Sequence, residues 1–151
     1  MSETDINAIT AGIDIARSPS HVFGYITDAK HLPEWQPDVR QAAYDLPTAV
    51  GIGARGQEVR HVMGADRPIT WEVTEYDPHR RYGVRGVDGP VRTHVTMDLI
   101  PTADGAGTHL AYGIDFTGHG IGKLIAPLAR SAARKELVTT LERLRLQLEA
   151  D

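Results

Sequence analysis

The chain has 151 residues, 41% of them apolar and 24% charged, with a net charge of −4 and no cysteine. That length suits one domain with a real core, and the lack of cysteine excludes disulfides, thiolate nucleophiles and cysteine metal sites. The mild acidic balance argues against a sequence-independent nucleic-acid surface, and no window approaches the roughly 18–20 apolar residues of a membrane span.

Ile9–Ile15 alternates Ile9, Ala11, Ile13 and Ile15 with polar or small residues, the period of a half-buried strand. The segment before it has no basic region leading into an apolar run, so no signal peptide is expected and a cytoplasmic protein is the default. Ser18 can cap a helix, Pro19 fits its first position, and Val22, Phe23 and Ile26 follow at helical spacing. Asp28 ends that turn. Lys30–Trp35 reads as a second short helix or turn, cut by Pro33 and closed by Pro37. Val39–Tyr44 is a strand, and Pro47–Gly53 a loop with glycines at 51 and 53. Strands follow at Arg55–Met63, Ile69–Tyr76, Arg81–Val87, Val91–Ile100 and Thr108–Phe116. Their turns are Gly64–Asp66, Asp77–His79, Asp88–Pro90 and Asp104–Gly107. Turns recurring about every dozen residues signal sequential antiparallel pairing.

His119–Ala150 then places Ile121, Leu124, Ile125, Leu128, Ala132, Ala133, Leu137, Leu141, Leu144 and Leu148 at spacings of three and four. That is one apolar stripe on a long helix, which needs a sheet to lie across. Pro127 inside the pattern either starts the helix or kinks it. One strand, two short helices, six strands and a long helix make an α+β architecture, an antiparallel sheet of about seven strands covered on one face. Nothing divides the chain, so residues 1–151 are expected to form a single domain. A curled sheet holding one helix leaves a space between them, to be filled by side chains or kept as a cavity.

Three stretches carry a resemblance. SPSHVFGYITDAKHLPEWQPDV resembles the opening helices of the polyketide cyclase/dehydrase group in the START-like (SRPBCC), helix-grip superfamily. Asp28, Pro33 and Trp35 stand where that pattern has an aspartate and a proline–tryptophan turn. Val73–Val91 resembles the central hairpin of the group, and Gly107–Phe116 its last strand. The resemblance implies the helix-grip fold and a deep cavity between sheet and helix. It leaves the chemistry open, because the group includes cyclases, lipid carriers and hormone receptors.

Strand parity puts Trp71, Tyr82, Tyr112 and Phe116 on the inner face, with Trp35 nearby. These rings suit a flat apolar ligand or a plain packed core. Val84, Val95, Met97 and Ile114 share that face, and Leu124, Leu128 and Ala132 would close it from the helix. Tyr82, Tyr112, His61 and Arg60 are the catalytic candidates. His61 shares parity with Val59 and Met63, which would point it inward as an acid or base. Arg60 has the opposite parity, and alternation alone does not decide which faces the cavity. In cyclase-like relatives an inward arginine can polarise a carbonyl or hold an enolate. Arg85 reads as outward. The seven histidines show no ligand-cluster spacing, so no metal is expected. There is no G-x-S-x-G elbow and no dinucleotide fingerprint, hence no cofactor is expected.

The expected function is binding of a hydrophobic, aromatic or lipid-like molecule by a monomer or homodimer, without nucleic acid. Aromatic polyketide cyclase/dehydratase activity is the first alternative. A co-chaperone-like interaction module is the second.

Overall fold

The computed structural model describes residues 8–45 and 50–150. Seven strands form one antiparallel sheet in the order β1-β7-β6-β5-β4-β3-β2. They are β1 (Ile9–Ile15), β2 (Val39–Tyr44), β3 (Arg55–Val62), β4 (Ala65–Asp77), β5 (Arg81–Gly86), β6 (Val91–Pro101) and β7 (Thr108–Gly118). Each strand from β2 to β7 pairs with its predecessor or successor, so short turns build most of the sheet. The first strand closes the order by pairing with the last, Ile13 opposite Leu110 and Ala11 opposite Tyr112. The loop expected over residues 47–53 lies partly outside the described residues.

Between β1 and β2 stand α1 (Pro19–Ile26), a 3-10 turn (Ala29–His31) and α2 (Leu32–Trp35). Ser18 caps α1 by accepting a hydrogen bond from the His21 N–H at 3.2 Å, and Pro19 takes the first position. Asp28 caps the 3-10 turn through the Lys30 N–H. Pro33 does not cut a helix as expected: it sits in the first turn of α2, where a missing N–H costs nothing.

The long helix α3 runs from Gly122 to Glu149 and passes through Pro127, so it does not begin there. Its far end is tied to β1, since Glu149 Oε2 accepts from the Ala16 N–H at 2.7 Å. At its near end the His119 N–H donates to the Pro90 carbonyl at 2.7 Å. Gly122 lies directly on that same carbonyl, so close that a Cβ would overlap it. Leu137, Leu141, Leu144 and Leu148 bury their side chains in the core with Ile15, Val22, Leu99 and Leu110. A curled sheet gripping a long helix is the helix-grip arrangement, as the resemblance implies. No helix among the described residues is long and apolar enough to cross a membrane.

Two further details differ from the expectations above. The β3–β4 turn is Met63–Gly64, not Gly64–Asp66, and β4 starts at Ala65. Both turn residues have positive φ, 53° and 82°, the conformation of a tight hairpin. The second difference lies in α3. Ile121, Leu124, Leu128 and Ala132 are exposed, and the buried face of the first half carries Gly122 and Ala126 instead. Only small side chains fit where the helix meets the Pro90 backbone.

Candidate functional site

The inner face of the sheet follows from register. Leu110, Tyr112, Ile114 and Phe116 on β7 stand opposite Leu99, Met97, Val95 and Thr93 on β6. Met97 and Val95 stand opposite Tyr82 and Val84 on β5, and Val84 stands opposite Val73 on β4. Trp71 pairs with Gly56 on β3, Ile69 with Glu58, and Arg67 with Arg60. The inner residues of β3 before its hairpin end at Val62 are therefore Gly56, Glu58 and Arg60, none of them apolar. Gly56 carries no side chain because the Trp71 indole lies flat across it: a Cβ there would sit inside the ring's van der Waals surface.

Glu58 and Arg60 are the charged pair of this face. Glu58 is 7% exposed. Its carboxylate accepts from Arg60 Nε at 2.6 Å, and Arg60 Nη2 donates to Gln36 Oε1 at 2.7 Å. Gln36 follows Trp35, which is buried at the end of α2. Tyr112 lies within electrostatic reach of the pair. Burial pushes its phenol up to about 12, with Arg60 pulling it down and Glu58 pushing it up. The Tyr112 hydroxyl forms no hydrogen bond with any described residue.

The other tyrosines make a chain. Tyr44 donates to the Thr27 carbonyl at 2.6 Å, which commits its only proton, so Tyr82 donates to Tyr44 at 2.7 Å. Burial drives the Tyr44 phenol up to about 12 and the Tyr82 phenol higher still. All three phenols are thus neutral at physiological pH, and Tyr82 has already spent its hydrogen. Two further donors, Trp71 Nε1 and Arg130 Nε, are buried without an acceptor among the described residues. Arg130 turns toward the sheet: its Nη2 reaches back to the Phe116 carbonyl at 2.8 Å.

The structure thus settles the parity question at β3. Arg60 faces inward and His61 outward, where His61 pairs with Asp66 at 2.8 Å beside the hairpin turn. Met63, used to assign the parity, is a turn residue and carries none. Trp35, Trp71, Tyr82, Met97 and Tyr112 are buried, and Val84, Val95, Ile114 and Phe116 are half-buried around them. Leu124, Leu128 and Ala132 are not on this face, which corrects their expected place in the lining. The helix offers the short side chains of Ala126 and Ala133 instead. Glu58 and Gln36 were missed. The signal for Glu58 was its shared parity with Arg60 and Gly56, a strand face with nothing to bury but a polar pair.

Two open clefts of about 380 Å³ each lie elsewhere, one over His21, Tyr25, His31 and Glu34 and one on the outer face of β1, β7 and β6. Among the described residues no three histidines, aspartates or glutamates converge as metal ligands would. Arg85 is exposed on the outer face.

Residues 8–149 match the family model described as polyketide cyclase / dehydrase and lipid transport. An uncharacterized protein recorded in two strains of Mycobacterium tuberculosis is 27% identical over 128 residues, 84% of this chain and 86% of its own length. Among solved structures, the Zhui aromatase/cyclase from Streptomyces sp. R1128 superposes with a TM-score of 0.77 at 15% identity, covering 94% of this chain and 93% of that one. The Thermus thermophilus protein TTHA0849 gives 0.74 at 20% identity, over 95% and 97% of the two chains. A START superfamily protein from Mycobacterium smegmatis gives 0.73 at 15% identity, over 93% and 98%. At these identities the likeness to solved structures is one of fold.

Proposed function

Because the chain belongs to the polyketide cyclase / dehydrase and lipid transport family, we propose that it binds a hydrophobic, aromatic or lipid-like small molecule between the concave sheet and the first half of α3. The observation that carries this reading is the Glu58–Arg60–Gln36 cluster beside the Tyr112 hydroxyl, which has no partner among the described residues, set in an interior of aromatic and aliphatic side chains. A domain needing only a core would fill these positions with apolar residues, since a buried ion pair seldom stabilises more than its hydrophobic replacement. Polar groups few in number and convergent within an apolar surround are how a small-molecule site fixes orientation. Native mass spectrometry of freshly purified protein tests the reading. A bound molecule, or one saturable site for an apolar dye that such a molecule displaces, is the expected result. Neither bound molecule nor dye site would sink it.

The same cluster favours a second reading, aldol cyclisation and dehydration of a polyketide chain. Arg60 presents a planar set of donors to an oxygen that gains negative charge, the kind of stabilisation that lowers a barrier. Tyr112, protonated up to about 12, is a hydrogen-bond donor rather than a base. Tyr112→Phe separates the two readings. Loss of about tenfold or less in ligand affinity fits a binding contact, whereas a hundredfold fall in turnover at unchanged affinity fits a transition-state contact.

A further inference from the structure

The outer face of α3 is apolar where a surface helix is ordinarily polar. Ile121, Leu124 and Leu128 are 69%, 77% and 67% exposed, and Pro127 is exposed with them. Spacings of three and four residues put these side chains on one ridge, opposite the Gly122, Ala126 and Ala133 face that meets the sheet. Isolated exposed leucines are ordinary, but a ridge spanning two turns of one helix is a patch.

The charge around the ridge is predominantly positive, with one exposed carboxylate, Glu136, at its far end. Residues 116–135 include Lys123, Arg130, Arg134 and Lys135 and no carboxylate, although the chain as a whole carries −4. Lys123, Arg134 and Lys135 are exposed. On the helical wheel Lys123 and Arg134 lie along one side of the ridge, and Lys135 continues it beyond Leu128 and Ala132. Arg130 is turned inward to Phe116 and takes no part. The β5–β6 hairpin that abuts Gly122 brings one exposed carboxylate, Asp88, whose Oδ1 accepts from the Thr70 N–H.

We propose that this face of α3 docks on an anionic lipid surface. Ile121, Leu124 and Leu128 enter the boundary between headgroups and acyl chains, and Lys123, Arg134 and Lys135 meet the headgroup phosphates. Charge argues against a second copy as the occupant. A twofold pairing of two such faces would set each cationic half-helix against its like. Shape argues for lipid over an acidic protein, because three aliphatic side chains on a convex ridge need no complementary pocket, whereas protein hot spots centre on packed aromatic or arginine anchors. The acidic remainder of the molecule is repelled by the same surface, so docking is oriented with α3 toward the lipid. The proposal does not depend on what the interior binds.

Co-sedimentation with vesicles of phosphatidylcholine alone, and of phosphatidylcholine with phosphatidylglycerol, tests it. The intact protein should partition onto the anionic vesicles at least about tenfold more than onto the neutral ones, and added salt should weaken it. Leu124→Ser with Leu128→Ser, and separately Lys123→Glu with Lys135→Glu, should each lower that partition at least about tenfold. All four side chains are exposed, so circular dichroism and the thermal midpoint should stay as in the parent. Lys30→Glu, on the distant 3-10 turn, should leave partition unchanged. Equal binding to both vesicle types, or leucine variants that bind like the parent, would overturn the proposal. So would a dimer in sedimentation velocity that the leucine variant abolishes, which would give the ridge to a second copy.

Discussion

Replacing Glu58 and Arg60 singly and together asks whether the inner face keeps its charges for a ligand or for stability. The Glu58 side chain is 8% exposed and the Arg60 side chain 29%. Removing one member of a buried pair costs about 3–5 kcal/mol, because the other charge is left uncompensated. Arg60→Met strands the more deeply buried group and belongs in that range. Glu58→Leu leaves a guanidinium still bonded to Gln36 and partly reached by solvent, so about 2–3 kcal/mol is expected. Replacing both with apolar side chains of similar volume removes both desolvation costs, and stability should return to within about 1 kcal/mol of the parent or exceed it. At about 2–4 °C per kcal/mol for a chain of this length, the single variants lose several degrees or more and the double regains them. Urea unfolding followed by circular dichroism measures all four species, and dye or ligand titration of the folded double variant measures the site. The double should be stable and should bind a polar-headed ligand at least about tenfold more weakly. Two results would refute the reasoning. If the double is as unstable as both single losses combined, the pair is structural. If it is stable and binds like the parent, the pair serves no ligand.

Other outcomes follow from the same geometry. Leu137→Asp should cost about 3–5 kcal/mol by burying an unpaired charge in the core, whereas Arg143→Ser should shift the midpoint little; equal small shifts would remove the helix from its place on the sheet. Tyr44 and Tyr112 hold their protons up to about 12 in the folded chain against 10.0 for an ordinary phenol, so their contribution to stability is complete below 10 and is lost as pH rises from 10 to 12. Their phenolate absorbance should therefore appear only as the circular dichroism collapses; reversible ionisation of every tyrosine near 10 with the fold intact would contradict their burial. Ala133→Trp, on the helix face that meets the sheet, should abolish dye binding in a protein that remains folded, and unchanged dye binding would place the site elsewhere.

Most of the strands were legible because their two faces differ in chemistry. In β6 and β7, aliphatic and aromatic residues alternate with polar ones, so parity marks the inner side without tertiary knowledge. The third strand inverts that rule. Before the hairpin end at Val62 its inner positions are Gly56, Glu58 and Arg60, and its one apolar outward residue there is Val59, so reading hydrophobicity as burial points His61 inward and Arg60 outward. Gly56 is explained only by the Trp71 ring on the neighbouring strand, and Glu58 only by the arginine it holds. The first cause lies across the sheet and the second is a polar pairing two residues along the same strand, and a rule that equates hydrophobicity with burial sees neither.

The first half of α3 resisted sequence reading for a related reason. It has two faces that lack charge, one of isoleucine and leucine and one of glycine and alanine, and a rule that ranks faces by hydrophobicity buries the larger side chains. The choice is made by distance. The Pro90 carbonyl lies against Gly122, and a helix pinned there at one end and at Ala16 and Arg17 at the other can turn only small side chains toward the sheet. Farther along, where the axis stands clear of the hairpin, Leu137 and the leucines after it fill the gap. One close contact therefore has two consequences. It turns short side chains toward the sheet, and it turns Ile121, Leu124 and Leu128 to the outside. A Gly122 with a side chain would push the helix off Pro90 and disturb both faces together, so the interior and the exposed ridge are coupled through a single backbone approach.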